Sequence, residues 1–528
     1  MKNIIKVIVY IGIFCINSFF TNVYAQISYD YNFESGAKIE VLSDSLVYSK
    51  DTLQYRDIVL LTTQDLQNPN DTLAYSSSRW FYFKMRGVKG DSLNVKFKGS
   101  DSERAFYSYD NKNFIRFSED EYSEVQIRKR FTKDSVYIAY FKPYTFTKSR
   151  EKIEEWLKHK CVDTINIGYS YKGLPLTVVK ITDNRYADSL KKVVWIQSRV
   201  HPSESPASFW TEGFVERLFS ENNLLRKAVF YIIPMCNPDG VYGGYSRSDS
   251  RGVNHEGNYN SDSLTTSVEV KAIKKYFSLV QSKNKGVSMF LNIHAQVANK
   301  SSYWIHSAES SSQYLFRKKL LMSYFTSILE YKSRGVDGYN DRRDKVPEGW
   351  IWKNWGDSCV AITFELPYAY YCDTEFLVTP ENLKNYGSKM VDVVANFLDI
   401  RTSQGVIIDD IKIPTRRCVW KRKKLEEDGL LYGKTYLTSK RRKSRLEFEI
   451  TELEEGEWRC YEWIANPQTE KQRRENERDT IFDNNYWHEV GTYEVEADKV
   501  LNVKFTYHKG EVVDAFLFRK KEKEVVYN

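Results

Sequence analysis

The chain has 528 residues, of which 28% are charged and 15% aromatic, with 38 tyrosines and a formal net charge of +8. A chain of this length divides into roughly two to four domains, and the composition excludes a disordered or low-complexity protein. The basic excess, much of it in TRRCVWKRKKLEE and TSKRRKSRLE, reads as solvated loops, and no basic stripe interleaves with aromatics as a nucleic-acid-binding module requires.

The first 25 residues, MKNIIKVIVYIGIFCINSFFTNVYA, carry early lysines, an apolar centre and a small-residue exit at Val23, Tyr24 and Ala25. That is the layout of a cleaved secretory signal peptide, so a secreted or periplasmic location is expected. The apolar run is interrupted by Cys15, Asn17 and Ser18 and falls short of the ~20 residues that span a bilayer. No later segment is apolar enough for stable membrane insertion. The cysteines at 161, 236, 359, 372, 418 and 460 show no C-x-x-C spacing, which excludes a cysteine zinc cluster. An exported compartment permits disulfides, and Cys418 with Cys460 is the first pair to test, with unpaired buried thiols as the alternative.

Residues 26–150 run in short alternating segments such as RWFYFKMRG, SLNVKFKG and SVYIAYFKPYTF, separated by Asp, Ser, Asn and Gly turns, and predict an all-β domain. Residues 151–402 change rhythm to apolar strands and amphipathic helices: KVVWIQSRV, FWTEGFVERLF, AVFYIIPMCNPDG, SMFLNIHAQ, CVAITFELPY and ENLKNYGSKMVDVVANFLDI. This predicts an α/β domain, a sheet buried on both faces by helices. Residues 403–528 return to alternation in LEFEITEL, EWRCYEWIA and VLNVKFTYH, which predicts a small all-β domain entered through the basic stretch 416–424.

Three strands of the α/β segment deliver four chemically expensive groups. His201 and Glu204 follow KVVWIQSRV directly, with Pro202 and Pro206 closing the strand and allowing a helix from about Ala207. His294 ends SMFLNIH, and Glu365 emerges from CVAITFELPY. Singly, each reads as easily as a satisfied structural residue or a surface loop. Together, at the carboxyl ends of sheet strands where open α/β sheets place their sites, they meet the needs of a catalytic zinc. Two imidazoles and one carboxylate hold the ion, and a further carboxylate takes a proton from water.

RVHPSESPASFW, IPMCNPDGV, YSRSDSRGV, FLNIHAQ and ITFELP occur in the order found in the zinc metallocarboxypeptidases (peptidase family M14), and most resemble its cytosolic carboxypeptidase branch. That branch carries a β-sandwich ahead of a mixed-sheet catalytic domain, and RWFYFKMRG with VYIAYFKPYTFT is similar to its strands. The resemblance implies a peptide substrate, one Zn2+ per chain held by His201, Glu204 and His294, and Glu365 as general base and later acid. It also implies that Arg247 polarises the scissile carbonyl, with Arg251 competing for that role, and that Tyr339 closes on substrate.

One departure from the family pattern concerns substrate recognition. Glu256 and Gly257 stand where the family carries the Asn-Arg clamp for the substrate's terminal carboxylate, and a glutamate there repels what a guanidinium would hold. Either Arg251, Arg342 or Arg343 replaces the clamp, or the substrate end is amidated, basic or otherwise modified. His255 reads as a solvated loop residue or a further substrate contact. Residues 350–355 are expected to shape the side-chain pocket, with Glu348 as a selector for basic residues. In the last hundred residues, EWRCYEWIANP, YWHEVGTYEVE and VVDAFLFRK resemble the golvesin-type β-sandwich module, which implies a glycan or cell-wall partner. Aromatics in such a unit more often form its core. The alternatives to a peptidase are a zinc-retaining binding protein without turnover and an amidase.

Overall fold

The computed structural model describes residues 26–49, 52–66, 77–260, 266–283, 285–297, 302–306, 317, 321, 324, 339–340, 343–370, 377–424, 435–451, 453–463, 487–496 and 499–521. The candidate leader at 1–25, Arg342 and Cys372 lie outside the described residues. Between Ser28 and Ala139 the chain builds two five-stranded sheets. Alternation decides which side chains go inward: along Ser92–Lys98, Leu93, Val95 and Phe97 are buried and their neighbours are not. Phe97 on one sheet stacks on Phe81, next to a strand of the other, with ring centroids 4.3 Å apart. Sandwich packing of this kind is what the alternating segments predict.

The central unit is a mixed eight-stranded sheet. Its strands are β1 (Val162–Tyr169), β2 (Pro175–Ile181), β3 (Lys192–Ser198), β4 (Ala228–Ile233), β5 (Val287–Gln296), β6 (Ser302–His306), β7 (Tyr339–Asn340) and β8 (Val360–Pro367), in the spatial order β1-β2-β4-β3-β5-β8-β6-β7. β4, β3, β5 and β8 run parallel, β1 and β2 pair antiparallel to their neighbours, and β6 pairs antiparallel to β8 but parallel to β7. The parallel strands are near-continuous apolar runs because both faces are covered. Alternate residues of β3 show this: Val194 and Ile196 enter one core with helices α2 (Ser205–Leu218) and α5 (Pro380–Phe397). Val193 and Trp195 enter another with α3 (Val268–Ser282) and α4 (Pro347–Trp355).

α2 and α5 touch through glycines. A Cβ on Gly213 would lie 1.9 Å from the Lys384 carbonyl oxygen, and one on Gly387 would lie 1.9 Å from that of Trp210. The backbones can approach this closely only without side chains at those two positions. This contact fixes the height of α2, and with it the residue that begins the helix, Glu204.

The described strands beyond Gly405 form sheets of four, three and two strands. Strict alternation along Lys443–Ile450 sends Ser444, Leu446, Phe448 and Ile450 inward. Trp420, Trp458, Trp463 and Trp487 are all buried, so these rings form core rather than a stacking surface. The disulfide between Cys418 and Cys460 does not form. Cys418 sits exposed in the turn before Trp420–Lys424, whereas Cys460 is buried mid-strand, and both are free thiols. The three units share one apolar core, which runs from Phe141 of the sandwich through Phe209 of α2 to Trp463 and Trp487.

Candidate active site

The turn after β3 explains how residues 201 and 204 reach one point. Arg199 adopts φ +58, the left-handed region that costs a side-chain-bearing residue roughly 1–2 kcal/mol. Its buried guanidinium offsets this by donating to Pro202 O at 3.1 Å, Tyr144 O at 2.9 Å and Ser208 Oγ at 2.9 Å. The chain then enters α2 at Ser205, with Glu204 as the capping residue. Glu204 makes no side-chain cap bond. Its carboxylate turns across the sheet instead, where Oε2 accepts from Ala295 N at 3.1 Å.

His201, Glu204 and His294 are 3%, 2% and 1% exposed, and their donor atoms converge. His201 Nδ1 lies 2.8 Å from Glu204 Oε1, His294 Nδ1 lies 2.9 Å from Glu204 Oε2, and the two Nδ1 atoms are 3.0 Å apart. The outward nitrogens face acceptors: His201 Nε2 is 3.2 Å from Asn254 Oδ1, and His294 Nε2 is 3.2 Å from Glu256 Oε2. With a cation held at the centre, the acceptors behind the rings suit a proton on each Nε2, with both Nδ1 lone pairs aimed inward. Two such lone pairs 3.0 Å apart repel unless a positive charge lies between them. Burial works against protonating His294, yet the Glu204 and Glu256 carboxylates hold its imidazole well above the usual value. Burial and the charge of Arg247 push His201 down to about 4. A two-imidazole, one-carboxylate set that demands positive charge at its centre fits zinc.

Glu365 stands directly opposite His294 in the parallel register of β5 and β8. The residue keeps partial exposure, but its Oε2 is enclosed and has no hydrogen-bond donor. Burial and the neighbouring Glu204 charge push its carboxyl up to about 7. Arg247 is near enough for its charge to oppose that rise.

Arg247 owes its place to a residue that sequence reasoning missed. Asp65, in the N-terminal unit and 7% exposed, accepts from the backbone of Ser246 at 2.7 Å, Arg247 at 2.6 Å and Ser248 at 2.9 Å. Trp80 N donates to Ser246 Oγ at 2.9 Å from the same side, and Ser203 Oγ donates to Ser246 O at 2.8 Å from the turn that carries His201 and Glu204. No local pattern marks Asp65, which is more than 180 residues away along the chain. Asn254 was missed for the same reason.

The remaining candidates fall elsewhere. Glu256 is 6% exposed and turned toward His294, and it also accepts from Asn292 Nδ2 at 3.2 Å. Arg251 is held away by Asp249 Oδ2 at 3.1 Å and lies over the Tyr171 ring at 4.7 Å. His255 is not solvated: it is 1% exposed, between Asp249 and Glu269. Tyr339 begins β7, paired in parallel with Ile305 of β6. Glu348 is fully buried and accepts from the Thr363 hydroxyl, two residues before Glu365 on β8. Trp350 and Trp355 are partly buried and pack on Phe277 of α3, at the edge of the core.

Comparison with known proteins agrees with this geometry. The zinc carboxypeptidase family profile matches residues 153–391. An uncharacterized protein of Zymomonas mobilis is 25% identical over 350 residues, covering 61% of this chain and 88% of that protein. Mouse cytosolic carboxypeptidase 6 is 26% identical over 301 residues, covering 54% of this chain, which spans only 55% of its length. Among solved structures, a metallo-carboxypeptidase from Burkholderia cenocepacia superposes with a TM-score of 0.59 at 22% identity, covering 71% of this chain and 99% of that one. A carboxypeptidase A-like protein from Shewanella denitrificans gives a TM-score of 0.57 at 24% identity, covering 72% of this chain and all of that one. At these identities the structures establish the fold, and the profile match covers the segment that holds every candidate ligand. The central domain of this chain thus matches the zinc carboxypeptidase family profile, and its curated relatives include cytosolic carboxypeptidases.

Proposed function

We propose that the chain is an exported zinc carboxypeptidase that hydrolyses the terminal peptide bond of a peptide. The observation that carries this reading is the convergence of His201, Glu204 and His294 beside Glu365, with His201 and Glu204 in the turn after β3, His294 near the end of β5 and Glu365 near the end of β8. The leader-like composition of residues 1–25 supports export.

When bound by His201, Glu204 and His294, zinc supplies Lewis-acid polarisation and makes water more acidic. The chain's own groups do the rest. Glu365, with a carboxyl drawn toward neutrality, takes a proton from the water that attacks the scissile carbonyl carbon. The carbon–nitrogen bond then breaks, and Glu365 returns the proton to the departing amine. Arg247, steadied through Asp65, places a guanidinium where negative charge grows on the carbonyl oxygen. Asn254 and Glu256 hold the imidazoles in register from behind.

Glu256 also favours a second reading of the substrate. A carboxylate followed by Gly257 stands in the segment expected to receive the substrate's terminus, and it is turned inward toward His294. A neutral end, such as an amide, meets less repulsion there than a free carboxylate does. The test is product analysis by mass spectrometry on a peptide library with free and amidated ends. Release of single terminal residues from free ends supports the carboxypeptidase. Release from amidated ends alone supports the amidase reading, and no cleavage of either with zinc present supports a binding protein. The all-β C-terminal unit is proposed to contact a glycan or cell-wall component, and binding of the intact chain to insoluble peptidoglycan, compared with a chain cut after residue 402, tests that role.

A further inference from the structure

A second buried triad lies on the far side of the loop that supports the zinc ligands. Asp249 and Glu269 are fully buried, His255 is 1% exposed, and their donor atoms all lie within 4.8 Å of one another. Three consecutive residues divide between the two clusters. Asn254 faces His201 and Glu256 faces His294, while His255 between them points the other way.

The distances within this triad are unusual for an ion-pair network. His255 Nε2 is 3.4 Å from Asp249 Oδ2 and 3.6 Å from Glu269 Oε2. Charge-assisted hydrogen bonds close to about 2.7–2.9 Å, so these contacts are loose despite complete burial. Donor atoms around one ion at about 2.0–2.2 Å lie roughly 3.3–3.6 Å apart by tetrahedral geometry, which matches the spacing observed. Asp249 is otherwise well served, since its Oδ1 accepts from Arg251 N at 2.8 Å and Val253 N at 3.0 Å. Glu269 is not: Oε1 accepts from Tyr171 N at 3.0 Å, but the buried Oε2 receives no hydrogen bond. The Arg251 guanidinium comes no nearer to that oxygen than 4.0 Å and is engaged with Asp249 and Tyr171. A buried carboxylate oxygen left without a donor is costly.

We propose that Asp249, His255 and Glu269 form a second divalent-cation site, one imidazole and two carboxylates, that takes a zinc-type transition metal. The ion sits between the three donors and draws the loop 249–258 onto the start of α3. It thereby fixes Asn254 and Glu256 behind the catalytic imidazoles without touching substrate. Arg251 stays on the outer side of Asp249, hydrogen-bonded to an oxygen that also faces the ion.

Elemental analysis of the untagged full-length chain, loaded with zinc and dialysed, decides the matter. The expected count is about two zinc ions per chain for the wild type and about one for both Glu204→Gln and Glu269→Gln. If Glu269→Gln does not fold, His255→Gln serves in its place with the same expected count. A wild type with one ion and a Glu204→Gln variant with none would overturn the proposal, leaving the triad as an ion-pair network closed by Arg251. Two ions retained by Glu269→Gln and by His255→Gln would also overturn it, by placing the second ion elsewhere. Because the count needs no substrate, it stands or falls apart from the peptidase reading.

Discussion

His201, Glu204 and His294 form one buried cluster of imidazole and carboxylate, Asp249, His255 and Glu269 form another, and the loop 249–258 serves both. The first lies at the carboxyl ends of parallel strands, in register with a partly exposed carboxylate whose inner oxygen lacks a donor, and within the field of an arginine. The second lies between a loop and the start of a helix, with its one arginine engaged by Asp249. Similar donor sets thus acquire different chemistry from their surroundings. Under the proposed function, a base and an electrophilic partner beside the donors would make the first site reactive, and the second has neither among the described residues.

The sharpest way to break this contrast is to remove a strand-end ligand. His294→Ala should drop peptide hydrolysis to background while leaving the metal of the second triad in place, as read by paired activity and elemental analysis. Glu256→Gln keeps shape but weakens the acceptor behind His294. It should lower zinc affinity at the catalytic site about 10–100-fold, measured by competition with a chelator, with little change in thermal melting. Asp65→Asn leaves one oxygen to serve three backbone donors, so the Arg247 loop should loosen. We expect kcat to fall about tenfold with KM nearly unchanged and zinc content intact, as for an oxyanion donor set slightly out of place.

The smallest effect concerns pH. Glu365 accepts a proton only when ionised, so kcat/KM should fall as pH drops through its pKa. Burial and Glu204 raise that carboxyl to about 7, and a bound cation draws it back down. The acid limb should therefore have its midpoint above the ordinary glutamate value of about 4.3 and no higher than about 7. Glu365→Asp should lower the whole profile without moving the midpoint of metal loss.

Much of the candidate site was legible because three of its residues end apolar runs. His201, His294 and Glu365 are the polar residues at which KVVWIQSRV, SMFLNIH and CVAITFE stop being core, and a buried sheet tolerates such groups only where they are used. The helix after Pro206 was legible too, although it begins at Ser205 rather than near Ala207, because Glu204 already supplies the capping position. Asp65 and the partners of His255 were not legible. Their contacts join distant segments, and no periodicity records them. Cys418 misled for a related reason: alternation nearby suggested a strand, but the residue falls in the turn before it, on the outside. Glu256 was read from its place in a motif, whereas the direction of its side chain depends on the turn at Asn254, whose Oδ1 accepts from Glu256 N at 3.1 Å.

The most direct test of the central claim is to compare zinc-loaded wild type with Glu365→Gln on the same peptides, with products identified by mass spectrometry and metal content measured on the same samples. The account predicts terminal cleavage by the wild type and a loss of about 10²–10⁴-fold in rate for the variant, with the catalytic zinc retained. Cleavage by Glu365→Gln at the wild-type rate, or a fully loaded wild type that cleaves no peptide, would contradict it.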